Sequence, residues 1–361
     1  MTQNLRIALC TTLDQLRALA PHWDGLGTYL DAPLGKWRWV LSSAETLPED
    51  ARLFVPVVLQ GGSPVAVAPL AGSLGQCAAL RQIGAAAGEP GDFCYKDAAS
   101  LRFLVEALAV NRVPLFLRKV PADSPLVTAL QAAYRHRALV VLRRRSDCPF
   151  IDVEPTEELT VGKLSASLRS DLRRASRRAK RIGAVSVDAH APATERDLLP
   201  VWEDALRVEA AGWKGRRGSA LVANPRVGAF YRAYATRACE QGILRILLLK
   251  VDSRTAASMV ALEAAERLWV LKIGYDESFA KCSPGMLVME AGLRYAARRG
   301  LRSFEFLGAE ADWTHRWTDC GRPTCQVYVY PYSLRGAAIV ARDAARLAWR
   351  QMPRRVHEGG S

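Results

Sequence analysis

Residues 268–299 read LWVLKIGYDESFAKCSPGMLVMEAGLRYAARR, and the order of their parts decides the fold. Residues 268–275 form a short apolar, aromatic-containing run that predicts a strand. Residues 276–284 are a polar loop, 285–299 predict a helix, and 303–307 return as a strand. The sum is a β-α-β unit whose loop runs into a helix N-terminus, where backbone N–H groups and the helix dipole favour a phosphate. Pro284 suits the first helical turn because it lacks an N–H that would go unpaired there. Gly285 lets the backbone approach a bulky ligand. Lys281 and Ser283 put a charge and a hydroxyl beside the same spot, which predicts a pyrophosphate cradle. The plainer alternative is that Ser-Pro-Gly is only a cap and helix start. No Gly-x-Gly-x-x-Gly follows a strand and no Walker-type Gly-Lys-Ser/Thr occurs, which argues against a dinucleotide fold or a P-loop.

Upstream of this unit, residues 164–182 predict a basic helix ended by Gly183, 185–188 a strand, and 194–210 a helix. A Gly-rich loop follows, then a helix over 225–241 and strands over 244–251 and 256–264. Residues 326–332 predict the last strand. The first half holds a helix over 13–20 and an apolar hairpin (53–59 and 64–70) turning at Gln60-Gly61-Gly62-Ser63. It continues with a helix over 100–109, a strand over 113–120 and a helix over 126–136 capped by Asp123-Ser124-Pro125. Residues 143–152 are the natural boundary. The two halves share one scheme of helix, hairpin, polar loop, helix and strand. The expected fold is therefore α/β (α+β), with domains at 1–150 and 151–332 and a basic helix or tail at 333–361.

At 361 residues the chain is long for one core and suits two domains of roughly 150 residues. No signal-peptide pattern opens it and no apolar run approaches membrane length, so a cytoplasmic location is expected. The eight cysteines form no Cys-x-x-Cys pair and the histidines no ligand-spaced cluster, so no metal is expected. Cys320 and Cys325 are better read as free thiols than as a disulfide. The net charge of +14 first suggests nucleic acid. Yet residues 169–181, with seven basic residues and one acid, lack interleaved aromatics or a groove-reading motif. An anionic small molecule or an anionic membrane surface explains the charge as well, and the tail 335–355 sets apolar residues among arginines.

The segment 271–287 resembles the signature block of the GNAT acetyltransferases of cellulose and exopolysaccharide biosynthesis (the CelD/BcsL family), relatives of the FemAB-type aminoacyltransferases. Three other blocks resemble that family in the right order: the basic helix from Leu168, Glu209 to Leu221 with its Trp-Lys-Gly, and Phe304 to Trp317. A weaker likeness reaches residues 80–84 and 91–93. The family often has a lysine near the closing tryptophan, where this chain has His315-Arg316, so a role specific to lysine is in doubt.

The resemblance implies tandem GNAT-like domains, each a mixed central sheet flanked by helices, the first degenerate. It implies direct acyl transfer from acetyl-CoA or another acyl-CoA to an amine or hydroxyl of a small-molecule or glycan acceptor. The pantetheine is expected along Ile273 and the phosphates on Lys281, Ser283, Pro284, Gly285 and Met286. Asp276, Glu209 and Glu263 are candidates for the base, Glu263 through a pKa raised by burial. Tyr275 or Tyr328 could protonate the leaving sulfur. Trp213, Lys214, Asp312 and Trp313 are candidates for the acceptor side. Cys282 raises the thought of an acyl-cysteine, with a pKa lowered by Lys281 and the helix, although direct transfer needs none. Three rivals stand beside this reading: a nucleic-acid-binding protein using helix 168–182, an aminoacyl-tRNA-dependent ligase of the FemAB kind, and a membrane-side scaffold. The coiled-coil arm usual in peptidoglycan ligases is missing from the sequence.

Overall fold

The strands over 244–251, 254–264 and 267–275 read as largely apolar runs because both faces of their sheet are covered. Leu247, Leu249 and Val251 pack into one core with Met259 and Val288, while Ile246 and Leu248, which alternate with them, pack into another with Trp202 and Tyr234. The computed structural model describes residues 5–27, 31–73, 79–84, 89–212, 221–308 and 310–351.

The strands are β1 (Leu5–Cys10), β2 (Ala51–Gln60), β3 (Ser63–Val67), β4 (Leu70–Ser73), β5 (Leu80–Gln82), β6 (Cys94–Tyr95), β7 (Leu115–Pro121), β8 (Ala138–Asp152), β9 (Val185–His190), β10 (Leu244–Val251), β11 (Arg254–Ala264), β12 (Arg267–Tyr275), β13 (Ser303–Glu305) and β14 (Gly321–Pro331). The helices are α1 (Leu13–Ala18), α2 (Ala20–Trp23), α3 (Trp37–Ala44), α4 (Ala98–Val110), α5 (Pro125–Ala133), α6 (Glu157–Gly162), α7 (Ala166–Ile182), α8 (Glu195–Ala210), α9 (Pro225–Glu240), α10 (Pro284–Arg298), α11 (Asp312–His315) and α12 (Leu334–Gln351). The strands join in one mixed sheet ordered β6-β3-β2-β4-β5-β7-β14-β8-β13-β12-β11-β10-β9, with β1 against β2. Two pairs are parallel, β5 with β7 and β12 with β13. Each is joined through a helix, α4 in one half and α10 in the other.

The expected mixed α/β fold is the one observed. The residues read as a boundary, 143–152, lie inside β8, which pairs with β14 over most of its length and with β13 at its end. β14 itself sits between β7 and β8, so the last strand is built into the sheet of the first half. The basic helix α7 buries Leu168, Leu172, Ala175 and Ala179 along one stripe and turns its arginines outward. The tail forms α12, packed on β14 through buried Ile339. Among the described residues, no helix is long and apolar enough to cross a membrane.

Candidate functional site

The site begins where two strands part. β12 and β13 pair in parallel only from Arg267↔Ser303 to Trp269↔Glu305. Past that point β12 runs on to Tyr275, held on its other edge by β11. Lys272 pairs with Val260 and Val270 with Ala261, so Leu271 is an extra residue, a bulge that bends β12 where the strands separate. Between them opens a cavity of about 720 Å³. Val270 to Tyr275 form one wall, Ser283 to Met286 a second, and Phe306, Gly308, Trp313, Arg316 and Trp317 a third.

The loop is shaped by Ser283, which ends a 3-10 helix (Glu277–Cys282) and begins α10 in a left-handed conformation with φ 51° and ψ 55°. A non-glycine residue there carries strain of about 1–3 kcal/mol, a cost often met at ligand sites. Its N–H donates to the Ala280 carbonyl and its own carbonyl accepts from Met286 N at 3.0 Å. The Ser283 hydroxyl makes no capping bond to α10. Asp276 caps the 3-10 helix, accepting from Ser278 N at 2.8 Å and facing Arg254 at 3.6 Å.

Glu209 reaches the cavity from the end of α8, only 5% exposed, and its Oε2 accepts from Leu221 N at 3.0 Å. This close crossing needs two glycines. A Cβ on Gly274 would lie 2.8 Å from Glu209 Cα, and one on Gly212 would lie 2.6 Å from the Tyr275 carbonyl.

Of the residues singled out from sequence, Ile273, Ser283, Pro284, Gly285, Met286, Glu209, Tyr275 and Trp313 line the cavity together. Lys281 is exposed beside it, its carbonyl accepting from Arg178 of α7 at 3.4 Å. Asp276 and Asp312 stand outside the lining. Trp213 and Lys214 lie outside the described residues.

Three further expectations are corrected. The Cys282 thiol is fully buried and donates to the Phe279 carbonyl at 3.1 Å, and burial pushes its pKa up, so it is no activated nucleophile. Glu263 is held below the usual carboxylate range, because hydrogen bonds from Arg299 and Tyr295 and the charge of Arg245 outweigh desolvation. It is a structural ion-pair centre. Tyr328 sits in the β7–β14–β8 part of the sheet, stacked on Phe116 with its hydroxyl donating to Gln326.

The cavity also contains two residues that sequence reasoning passed over, Lys272 and Glu89. Lys272 is held over the Tyr231 ring, 4.4 Å from its centroid. Glu89 comes from the first half, is 9% exposed, and desolvation lifts its pKa to about 7 against the attraction of Lys119 and Lys272. Nothing in the sequence around Gly88-Glu89-Pro90-Gly91 marks it, because its partners come from distant strands. Among the described residues, no cluster of His, Cys, Asp and Glu could hold a metal ion.

Residues 166–315 match the acetyltransferase (GNAT) domain family, a span that takes in the basic helix, α11 and the cavity lining apart from Glu89, Arg316 and Trp317. None of the curated proteins matches the chain. Similar solved structures include L-PGS from Bacillus licheniformis, at 14% identity and a TM-score of 0.55 over 91% of this chain and 96% of that one. FemX matches at 11% identity and a TM-score of 0.54, over 93% of this chain and 99% of its own. A conserved protein of unknown function from Bacteroides thetaiotaomicron VPI-5482 matches at 11% identity and 0.54, over 90% of this chain and all of that one. At these identities the likeness concerns the fold, and it extends through both halves. The chain carries an acyltransferase domain of the GNAT type.

Proposed function

We propose that this acyltransferase domain moves an acyl group, with acetyl the first choice, from a CoA thioester directly to an amine or hydroxyl of a sugar or cell-envelope precursor. The observation that supports this most is the opening of β12 from β13 beside the start of α10. A cofactor wedged there lays its pantetheine along Ile273 to Tyr275. Its pyrophosphate meets the N-terminal end of α10 at Gly285 and Met286, where the helix dipole favours an anion, with the charges of Lys281 and Arg178 nearby. A backbone N–H of the bent strand polarises the thioester carbonyl, stabilising the oxyanion of attack.

Tyr275 is our choice for the proton donor to the leaving sulfur, since it lines the cavity at the end of β12. We take Glu209 rather than Asp276 as the carboxylate that orients the acceptor, because Glu209 lines the cavity and Asp276 stands outside its lining. Trp313 stands half-exposed against Phe306, with ring centroids 5.8 Å apart, and suits the apolar face of a sugar ring. Asp312 stays a candidate at the rim. Within the GNAT domains we place the chain near the CelD/BcsL family, with a degenerate first GNAT-like half at 1–150 and the active one at 151–332. We assign it to the cytoplasm, where α12 allows a peripheral contact with an anionic bilayer.

The test is the melting temperature with millimolar acetyl-CoA, and then with longer acyl-CoAs. A rise supports the reading; no rise with any of them defeats it. Product mass spectrometry then names the acceptor. A second reading, aminoacyl transfer from tRNA, is favoured by the outward arginines of α7. It requires saturable, salt-sensitive binding of aminoacyl-tRNA and no response to acyl-CoA.

A further inference from the structure

The cavity wall supplied by the first half of the chain has no part in the scheme above. Glu89 lines the cavity and also a small adjoining space shared with Trp39, Gln82 and Asp92. Its Oε2 is buried and meets no hydrogen-bond partner among the described residues. The hydroxyl of Tyr231 is buried and likewise meets no hydrogen-bond partner among the described residues, and Tyr231 lies within the field of both Glu89 and Glu209. The charged and titratable groups facing Glu89 come from several elements: Lys119 of β7, Lys272 of β12, Tyr231 of α9 and Cys148 of β8. Glu209 of α8 shares the cavity with it. Lys119 also donates to the Leu307 carbonyl at 3.3 Å, which ties the first half to the chain just beyond β13.

A buried carboxyl oxygen without a partner lowers stability, so packing alone gives no reason for glutamate here. Desolvation and the two lysines oppose each other and leave the group titrating at about 7, where a carboxylate is both available and basic enough to take a proton.

We propose that Glu89 is the catalytic base of the acyl transfer and that the acceptor it serves is a primary amine, so that the first half of the chain completes the reaction centre. The proposal rests on the acyl-transfer reading. Glu89 and Glu209 set two carboxylates in a cavity whose lining also carries Lys272 and Arg316, and the carboxylates are the groups there that an ammonium acceptor can pair with. The acceptor arrives as R–NH3⁺ and gives one proton to Glu89 Oε2. The freed nitrogen lone pair forms the N–C bond, the C–S bond breaks, and the electron pair leaves on sulfur. The second nitrogen proton is lost as the amide forms and one proton returns to the CoA thiolate, so a single proton is released to solvent overall.

The experiment compares wild type with Glu89→Gln and Glu89→Ala, following release of the CoA thiol from acetyl-CoA between pH 5.5 and 8.5, with D-glucosamine as probe amine and water as background acceptor. Infrared difference spectra across the same range follow the carboxyl directly. We expect the wild-type rate to rise with a midpoint near 7. We expect Glu89→Gln to lose about 100-fold or more, the usual contribution of a general base, and to lose that limb while keeping the acetyl-CoA thermal shift. In wild type a carboxylic-acid band titrates with a midpoint near 7 and is lost in Glu89→Gln, while the band of Asp92, raised by burial to about 6, remains in both. A Glu89→Gln enzyme with the wild-type rate and pH limb overturns the assignment, as does an infrared spectrum unchanged by the substitution. If wild type itself shows no thermal shift with acyl-CoA, the acyl-transfer reading falls first, which separates the two failures.

Discussion

Gly285 faces the ring of Tyr275: a Cβ added to the glycine would lie 3.3 Å from Tyr275 Cδ1. The first turn of α10 and the end of β12 are thus at contact distance, and the proposed pyrophosphate cradle has room for backbone alone. Gly285→Trp fills that room, and acyl-CoA should then no longer raise the melting temperature. Gly285→Ala asks the ring to yield by a few tenths of an ångström and should weaken acyl-CoA binding several-fold. Calorimetric titration of both variants checks this, and wild-type affinity in Gly285→Trp removes the cradle from the mechanism.

Glu209 holds Leu221 N as well as facing the cavity. Glu209→Ala leaves that N–H without its acceptor and should cost about 1–3 kcal/mol in urea unfolding. Glu209→Gln keeps an acceptor oxygen and should lose less stability, so any larger loss of transfer rate in Gln reports the charge rather than the fold.

Glu305 is the buried ion-pair centre where the halves meet. It is 2% exposed, accepts from the Ser303 hydroxyl at 2.6 Å, and pairs with Arg322 of β14 at 2.7 Å. Glu305→Ala leaves the Arg322 charge without this partner and should destabilise the protein by about 3–5 kcal/mol. Denaturant melts of Glu305→Ala beside Arg322→Ala, with the double variant less than additive, are the expected pattern.

The pH dependence of stability has a defined sign at Glu89. Its folded pKa of about 7 lies above the ordinary 4.5, so the folded state holds the proton more tightly than the unfolded one. Stability is therefore lost as pH rises from about 4.5 through 7, by about 3 kcal/mol in total. Asp92, raised to about 6 by burial, acts in the same direction in both proteins and cancels from the comparison. Glu89→Gln should match wild type near pH 5 and exceed it at pH 8. Equal urea stabilities at both pH values would show that Glu89 is not desolvated as described.

The central strands of the second half were legible because β10, β11 and β12 are apolar on both faces and bounded by short turns. The start of α10 was legible from Pro284 and Gly285. β1 was not: Ile7 and Leu9 stay more than 40% exposed, so Leu5–Cys10 has no clear buried face to betray it. Asp276 illustrates a different limit. From sequence it stands at the strand end as a candidate base, and only the fold reveals that its carboxylate holds Ser278 N. Glu89 was invisible because the features that single it out, burial and the nearness of Lys119 and Lys272, exist only once both halves have closed around it.

The place of β14 bears on how the polypeptide can be made. When a nascent chain has emerged as far as β8, the strand that belongs between β7 and β8 has yet to be synthesised. Both strands wait with open edges until Gly321–Pro331 arrives, which is a long-range, slow closure that exposes pairing-competent backbone meanwhile. A fragment ending with the acetyltransferase match at residue 315 would keep the cavity walls up to Trp313 and forfeit that closing strand. Synthesis of the last segment is thus the event that makes the two halves one cooperative unit.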